Sequence, residues 1–279
     1  MKRKLLSALL ATAMTMTVVA GTGIAVSADG EAVVSTVMFS DPDTMDPGRA
    51  DDDQKNSIVL ECQETLVRLI DGKLTNAGAE SYETSDDGLV WTFHLRDNKY
   101  SDGTPVVAED YVNSIRRVFD PEVNCHNAGI FYCIAGGEAF NTGSGAKEDV
   151  GAKAIDDKTL EITLTEPIPY FAQLLTFANI TPVPESKTEG ENNSSYGAIV
   201  DDLAQCGPYY ISEWTRGSKV VLKKNPNYWD ADNIKLDEID MVLAQDENTR
   251  QQLFDQGQID LLRNVRTEYI DQVQSKIDS

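Results

Sequence analysis

The sequence predicts an α/β protein in which mixed β-sheets are flanked by helices. Segments that alternate apolar and polar residues, as half-buried strands do, interleave with segments of helical periodicity along the whole chain. The 279 residues are 41% hydrophobic and 25% charged, which is typical of a globular protein and not of a disordered or membrane-embedded one. Such interleaving favours an α/β or mixed architecture over a helical bundle or a β-sandwich.

The first half of the chain has two segments with strand periodicity and two with helical periodicity. A β-branched, apolar run predicts a strand over residues 33–39, and clean alternation predicts another over residues 89–95. Apolar residues spaced by four, four and three predict a helix over residues 54–70, which should end at the following Asp-Gly turn. A second helix is expected over residues 108–119, with acidic residues near its positive N-terminal end.

The second half continues the same interleaving. Alternating segments predict strands at residues 159–164, 219–223, 238–243 and 259–262. A short amphipathic helix is expected over residues 167–177, and a further helix should follow Asp246 and end at Gly257. The polar residues 185–195 predict a surface loop.

The net charge excludes two classes of partner. The chain has 24 basic and 46 acidic residues, a formal net charge of −22. Nucleic-acid binding requires clustered Lys and Arg that neutralise phosphates, and binding to an anionic membrane surface requires basic segments. We therefore expect neither nucleic acid nor an anionic lipid surface to be a partner.

The first 28 residues have the pattern of a secretory signal peptide. Lys2, Arg3 and Lys4 precede an apolar stretch over residues 5–19, and small residues occupy positions 25–28. The alternative, a transmembrane anchor, needs a longer and less Thr-rich apolar stretch. The sequence therefore predicts an exported protein, in the periplasm or at the outer face of the cell envelope, whose mature chain does not insert into a membrane.

An exported protein can form disulfides, and the four cysteines allow three pairings. Cys125 and Cys133 are closest in sequence and form the predicted bridge. The alternative is four buried free thiols, at Cys62, Cys125, Cys133 and Cys206.

Catalytic and metal-binding motifs are missing from the sequence. None of the common hydrolase, zinc-protease or nucleotide-binding motifs occurs, and His94 and His126 are the only histidines. The spacing of the cysteines and histidines matches no zinc site. These observations favour a binding protein over an enzyme, with no metal and no cofactor.

Eight stretches of the sequence, taken together, are informative about its family. They are residues 43–47 (DTMDP), 80–110, 154–161, 166–171, 207–209, 213–214, 224–229 and 256–260. Together they resemble the extracytoplasmic solute-binding proteins of oligopeptide and dipeptide ABC transporters, which are bacterial extracellular solute-binding proteins of family 5. Val107 departs from the family, which often has Thr there as a helix cap.

The resemblance implies a periplasmic-binding-protein-like fold of type II, with two lobes and an inserted extra subdomain. The first lobe would comprise residues 29–76 and 201–260, and the inserted middle subdomain residues 77–200. Residues 261–279 would begin a C-terminal lobe that is otherwise missing, since members of the family are about twice as long. We therefore expect the sequence to be a fragment.

The function implied is that of a receptor of an ABC importer, which captures peptides and delivers them to membrane permease subunits. Such a receptor is not an enzyme and is expected to be a monomer. The ligand-contacting residues implied by the resemblance are Phe39, Ser40, Asp41 and Pro42 in the first lobe and Phe131 and Tyr132 in the middle subdomain. Ser40 and Asp41 could instead form an ordinary turn, and Tyr132 could be a core residue.

Other functions stay open at this point. The same fold could bind another solute, such as a metal chelate or an oligosaccharide, because a fold does not fix its ligand. A secreted hydrolase with a diffuse acidic site is a further alternative, as is a peptide chaperone or sensor that works without a transporter.

Overall fold

Two β-sheets and a separate hairpin form the framework of the protein in a computed structural model that describes residues 25–26, 30–263, 265 and 267–270. The predicted signal peptide, residues 1–28, lies outside the described residues except for Ala25 and Val26. Much of the segment 261–279, predicted to begin a further lobe, also lies outside them. Within the described part of the chain, none of the helices has the length and apolar character needed to cross a membrane.

The strands of the described residues are β1 Ala25–Val26, β2 Ala32–Met38, β3 Val67–Ile70, β4 Lys73–Asn76, β5 Ala79–Thr84, β6 Val90–Leu95, β7 Ala152–Asp156, β8 Thr159–Thr163, β9 Tyr209–Thr215, β10 Lys219–Lys224 and β11 Glu238–Leu243. Their α-helices are α1 Asp53–Cys62, α2 Ala108–Phe119, α3 Gly137–Asn141, α4 Phe171–Leu174, α5 Asn192–Ser195 and α6 Glu247–Asp255. Short 3-10 turns connect several of these elements, among them Pro47–Arg49 just before α1.

The first sheet has the strand order β1-β2-β11-β10-β9. Strands β2 and β11 run parallel, and the other neighbours are antiparallel. Alternation along β10 turns Val220 and Leu222 to the face covered by α1, where Ile58 is buried among them. The opposite face is covered near β2 and β11 by α6, whose Phe254 packs towards Val37. The predicted strands in this sheet and the helix after Asp246 are confirmed.

The second sheet is antiparallel throughout, with the order β5-β6-β8-β7. Its apolar face includes Phe93 and Ile162, and α2 packs against that face with Tyr111 and Ile115 fully buried. The predicted strand and helix in this region are confirmed, and α2 has the predicted bounds. Val107 provides no capping side chain, but the Asp110 carboxylate accepts a hydrogen bond from the Val107 N–H at 3.1 Å.

The helix predicted over residues 54–70 is wrong in its second half. Helix α1 ends at Cys62, and residues Val67–Ile70 form β3, which pairs with β4 in a hairpin. Gln63 has an extended backbone, and its side-chain amide donates to the Ala204 carbonyl at 2.5 Å, so tertiary contacts draw the chain out of the helix.

Three smaller predictions also need correction. The helix at 167–177 is only one turn, Phe171–Leu174, because Pro167 and Pro169 precede it. The loop at 185–195 contains two short helical turns. The strand at 259–262 is reduced to a single bridge between Thr36 and Leu261.

The predicted Cys125–Cys133 disulfide is wrong, because all four cysteines are free thiols. Cys62, Cys125 and Cys206 are buried and Cys133 is partly exposed. Burial raises the pKa of the Cys125 thiol to about 11, which keeps it protonated and unreactive at neutral pH.

A buried ion pair joins the loop after β2 to helix α2. Asp46, fully buried, accepts hydrogen bonds from Arg117 at 3.0 and 2.8 Å, one to each carboxylate oxygen. Arg117 also donates to the Asn193 side chain at 2.9 Å. The pair therefore connects three parts of the fold, which are the loop after β2, helix α2 and the short helix α5.

Replacing Arg117 with Met should destabilise the fold strongly. The variant leaves the Asp46 carboxylate buried without its cation, and such a loss typically costs about 3–5 kcal/mol of unfolding free energy. Lys147→Met is the control, because Lys147 and Glu185 form an exposed pair worth less than about 1 kcal/mol. Urea unfolding of both variants measures the difference, and equal losses would contradict the role given to Asp46 and Arg117.

Candidate functional site

Two backbone segments outside the helices and strands meet at the N-terminal end of α1. The first, residues 39–43, leaves the end of β2, and the second, residues 50–52, enters α1. We call this region the α1 N-terminal surface and define it by residues 39–43, residues 50–52, Lys55 and His126. It lies beside the end of β2 at which its parallel neighbour β11 also ends.

The segment 39–43 is held from two sides. The Phe39 N–H donates to the Gln54 side chain on α1 at 3.1 Å. The turn between β9 and β10 holds the other end, because Arg216 donates to the Pro42 carbonyl at 2.6 Å and the Gly217 N–H donates to the Asp41 carboxylate at 2.7 Å. The Arg216 guanidinium is itself stacked on the Trp214 ring, 3.5 Å from its centroid.

Between these anchors, the backbone of Ser40 is unpaired. Within the part of the chain that the structure describes, neither its N–H nor its C=O has a hydrogen-bond partner, and the side chain is half-buried. A fixed stretch with unpaired backbone groups can offer hydrogen-bond partners to an extended chain.

The segment 50–52 also has unpaired backbone groups, which the sequence did not predict. Ala50 and Asp52 have extended backbones, and the Asp51 N–H and C=O and the Asp52 N–H have no partner among the described residues. The Asp52 carboxylate caps α1 by accepting from the Lys55 N–H at 2.8 Å. The run of three Asp residues at positions 51–53, just before a predicted helix, was the available signal for a charged helix start.

A buried lysine binds the two segments together. The Lys55 ammonium pairs with Asp43 at 3.0 Å, with Asp51, and with Asp52 at 3.4 Å, while its side chain is 8% exposed. Asp51 also contacts His126 Nδ1 at 2.5 Å, and the His126 side chain is largely exposed. These residues line an open pocket of about 260 Å³ together with Arg49, Val123 and Asn124.

The electrostatics of this cluster favour its charged state. Burial raises the pKa of Asp43 and Asp51, but hydrogen bonds and the charge of Lys55 outweigh it and hold both pKa values below the usual range. Burial lowers the pKa of Lys55, and its hydrogen bonds to Asp51 and Asp43 more than reverse this and raise it. Three carboxylates share one ammonium, so the surface is acidic on balance.

Comparison with known proteins identifies the family. The family model described as "Bacterial extracellular solute-binding proteins, family 5 Middle" matches residues 73–279. The chain belongs to this family. Its periplasmic-binding-protein-like fold is that of the solved structures it resembles.

The relatives include proteins named for peptide binding. The chain is 35% identical to the oligopeptide-binding protein OppA of Bacillus subtilis over 83% of this chain and 43% of OppA. It is 36% identical to the periplasmic oligopeptide-binding protein OppA of Escherichia coli over 81% of this chain and 42% of that protein. The peptide-bound structure of Listeria monocytogenes OppA superposes with a TM-score of 0.77 at 34% identity, covering 82% of this chain and 46% of OppA. The chain thus spans less than half the length of these relatives.

In this family-5 chain the residues predicted to contact ligand do not form one group. Residues 39–42 lie on the α1 N-terminal surface. Phe131 is fully buried in the core of the second sheet, where its ring packs edge-on against Phe177, so it has no surface left for a ligand. Tyr132 is half-buried, packs beside Phe119, and donates its hydroxyl to Asn141 at 2.7 Å. We therefore carry only residues 39–42 into the proposed site.

The family motif at residues 43–47 has a clear structural role. Asp43 pairs with Lys55, and Asp46 pairs with Arg117. The Met45 N–H donates to the Gly197 carbonyl at 2.9 Å, and Met45 is buried in the core of the first sheet. The motif therefore fixes the path of the chain between the two free backbone segments.

Stability should fall at acidic pH through the Lys55 cluster. Carboxylates with lowered pKa stabilise the fold above their unfolded value of 3.8, and this contribution is lost as the pH falls through their folded values. Lys55→Met removes the cause of the lowering. We expect wild type to lose more urea resistance than Lys55→Met between about pH 5 and about pH 2. Parallel pH profiles for the two proteins would contradict this assignment.

Proposed function

We propose that this chain is the ligand-capturing part of a receptor that binds oligopeptides or dipeptides outside the cytoplasm and delivers them to the permease of an ABC importer. The observation that carries the proposal is the pair of backbone segments with unpaired N–H and C=O groups at the α1 N-terminal surface. Relatives named as oligopeptide-binding proteins, matched over more than four fifths of this chain, support a peptide as the ligand.

Backbone pairing suits a receptor that must accept many sequences. An extended peptide has free N–H and C=O groups along both edges, and each needs a partner once water is displaced. The unpaired groups of Ser40, Asp51 and Asp52 can supply such partners without reading any side chain. Wet, roomy pockets such as the one beside His126 then tolerate different side chains.

The charge of the site favours the amino end of a peptide or a basic side chain. Lys55 neutralises only one of the three carboxylates it contacts, so the surface keeps a negative potential. A free α-ammonium is attracted to such a surface, and its loss through acetylation removes the attraction.

The rest of the assignment belongs to the same proposal. We place residues 29–76 and 201–260 in a first lobe and residues 77–200 in an inserted subdomain, and the strands of the two sheets fall within these limits apart from β1. We propose that the protein is exported, monomeric in solution, and not an enzyme.

Titration calorimetry with a tripeptide, its N-acetylated form and a disaccharide tests the function. We expect the tripeptide to bind and acetylation to weaken binding about tenfold, because one charge-assisted hydrogen bond is lost. Asp51→Asn should weaken tripeptide binding by a similar factor.

Glu148→Gln is the matched control, because Glu148 is exposed and lies on a turn before β7, far along the chain from the proposed site. It should leave the affinity unchanged. Binding of the disaccharide but not the tripeptide would replace peptide with a sugar as ligand, and equal effects of the two variants would remove Asp51 from the site.

A further inference from the structure

Lys55 occupies an unfavourable position for a cation. It lies in the first turn of α1, where the helix dipole is positive and acidic residues are preferred. Its side chain is 8% exposed, although an ammonium loses much hydration on burial. An exposed lysine outside the first turn of a helix would avoid both the unfavourable dipole and the loss of hydration. The contacts that Lys55 makes must therefore stabilise it here.

Those contacts reach both halves of the proposed site. Asp43 ends the segment that follows β2, and Asp51 lies in the middle of the segment that enters α1. Asp52 caps the same helix. One ammonium thus links the two backbone segments, and each segment carries the unpaired groups described above.

We propose that Lys55 is a positioning residue for ligand capture, which fixes residues 50–52 against residues 39–43 so that their free backbone groups face a ligand in one arrangement. This inference rests on the proposed function of the same surface. Lys55 itself need not touch the ligand, because its ammonium already forms ion pairs with three carboxylates of the protein.

Pre-organisation explains why such a link matters for binding. If the ligand must order a backbone segment when it binds, the entropy lost in that ordering weakens the affinity. A segment that is already fixed in the free protein avoids this cost. The Asp52 carbonyl accepts from the Asn56 N–H at 2.9 Å, so the helix orders that residue. Neither the N–H nor the C=O of Asp51 has a partner within the described residues, so side chains must supply much of the order of Asp51. Lys55 and His126 are the side chains that hold Asp51.

The test compares Lys55→Met, Lys55→Arg and Lys158→Met with wild type in the full chain. Met keeps most of the apolar stem and removes the charge. Arg restores a cation, and Lys158 is a control lysine that pairs with Asp97 at 3.0 Å away from the site. The two readouts are the ¹⁵N order parameter of the Asp51 amide without ligand, and the dissociation constant for an unmodified tripeptide.

In wild type we expect an order parameter of about 0.85 at Asp51, as in rigid backbone. Lys55→Met should lower it below about 0.6 and raise the dissociation constant about tenfold, with thermal unfolding still cooperative. Lys55→Arg should restore both readouts in large part. Lys158→Met should change neither.

Two results overturn the inference. An order parameter at Asp51 that stays unchanged in Lys55→Met shows that Lys55 does not fix the segment. A lowered order parameter with an unchanged dissociation constant shows that the fixing does not serve ligand capture. If wild type binds no tripeptide, the proposed function fails, and the order parameter alone then decides whether Lys55 fixes this segment.

Discussion

The arrangement of the whole molecule depends on the buried pair of Asp46 and Arg117. Both side chains are almost fully buried, so each is stable there only while the other is present. Gly197 lies against the same loop with a positive φ of 85°, and a Cβ there would come within 2.2 Å of the Asp46 nitrogen. The ion pair and the close contact between Gly197 and Asp46 together determine the backbone path of residues 43–52. That path therefore sets where the α1 N-terminal surface forms.

A second buried charged residue, Glu64, connects parts of the two sheets just after the C-terminal end of α1. Glu64 is fully buried and accepts from Arg68 at 2.6 Å, from the Tyr228 hydroxyl at 2.5 Å and from the Trp229 indole at 2.9 Å. Tyr111 of α2 donates to the Glu64 carbonyl at 3.1 Å. The apolar cores of the two sheets are separate clusters, and these polar contacts connect residues near one core with residues near the other. Buried hydrogen bonds form only at defined distances and angles. They therefore specify the relative position of the connected elements more strictly than apolar packing alone does.

The sequence was most informative where one face of an element is buried. Periodicity predicted α2 with its observed bounds and the strands β6, β10 and β11, because their buried residues repeat at the period of the element. It failed after Gln63, where the helical spacing continues by chance but the Gln63 and Glu64 side chains form hydrogen bonds with the distant residues Ala204 and Tyr228. Family resemblance predicted the segment 39–42 of the proposed site, whereas residues 50–52 and Lys55 were not predicted. Their role depends on contacts across the fold, to Asp43 and His126, which no local pattern encodes.

The charge at the start of α1 argues for the kind of ligand group that this surface can accept. A helix N-terminus normally attracts anions, because its first N–H groups are unpaired. Here Asp52 already occupies that position, and Asp51 and Asp43 add two further carboxylates beside it. Lys55 offsets part of this charge without reversing it. An anionic ligand group would therefore meet repulsion where most helix starts offer attraction, whereas an ammonium would be stabilised. The protein's own carboxylates have thus converted a potential anion site into one that suits the amino end of an extended chain.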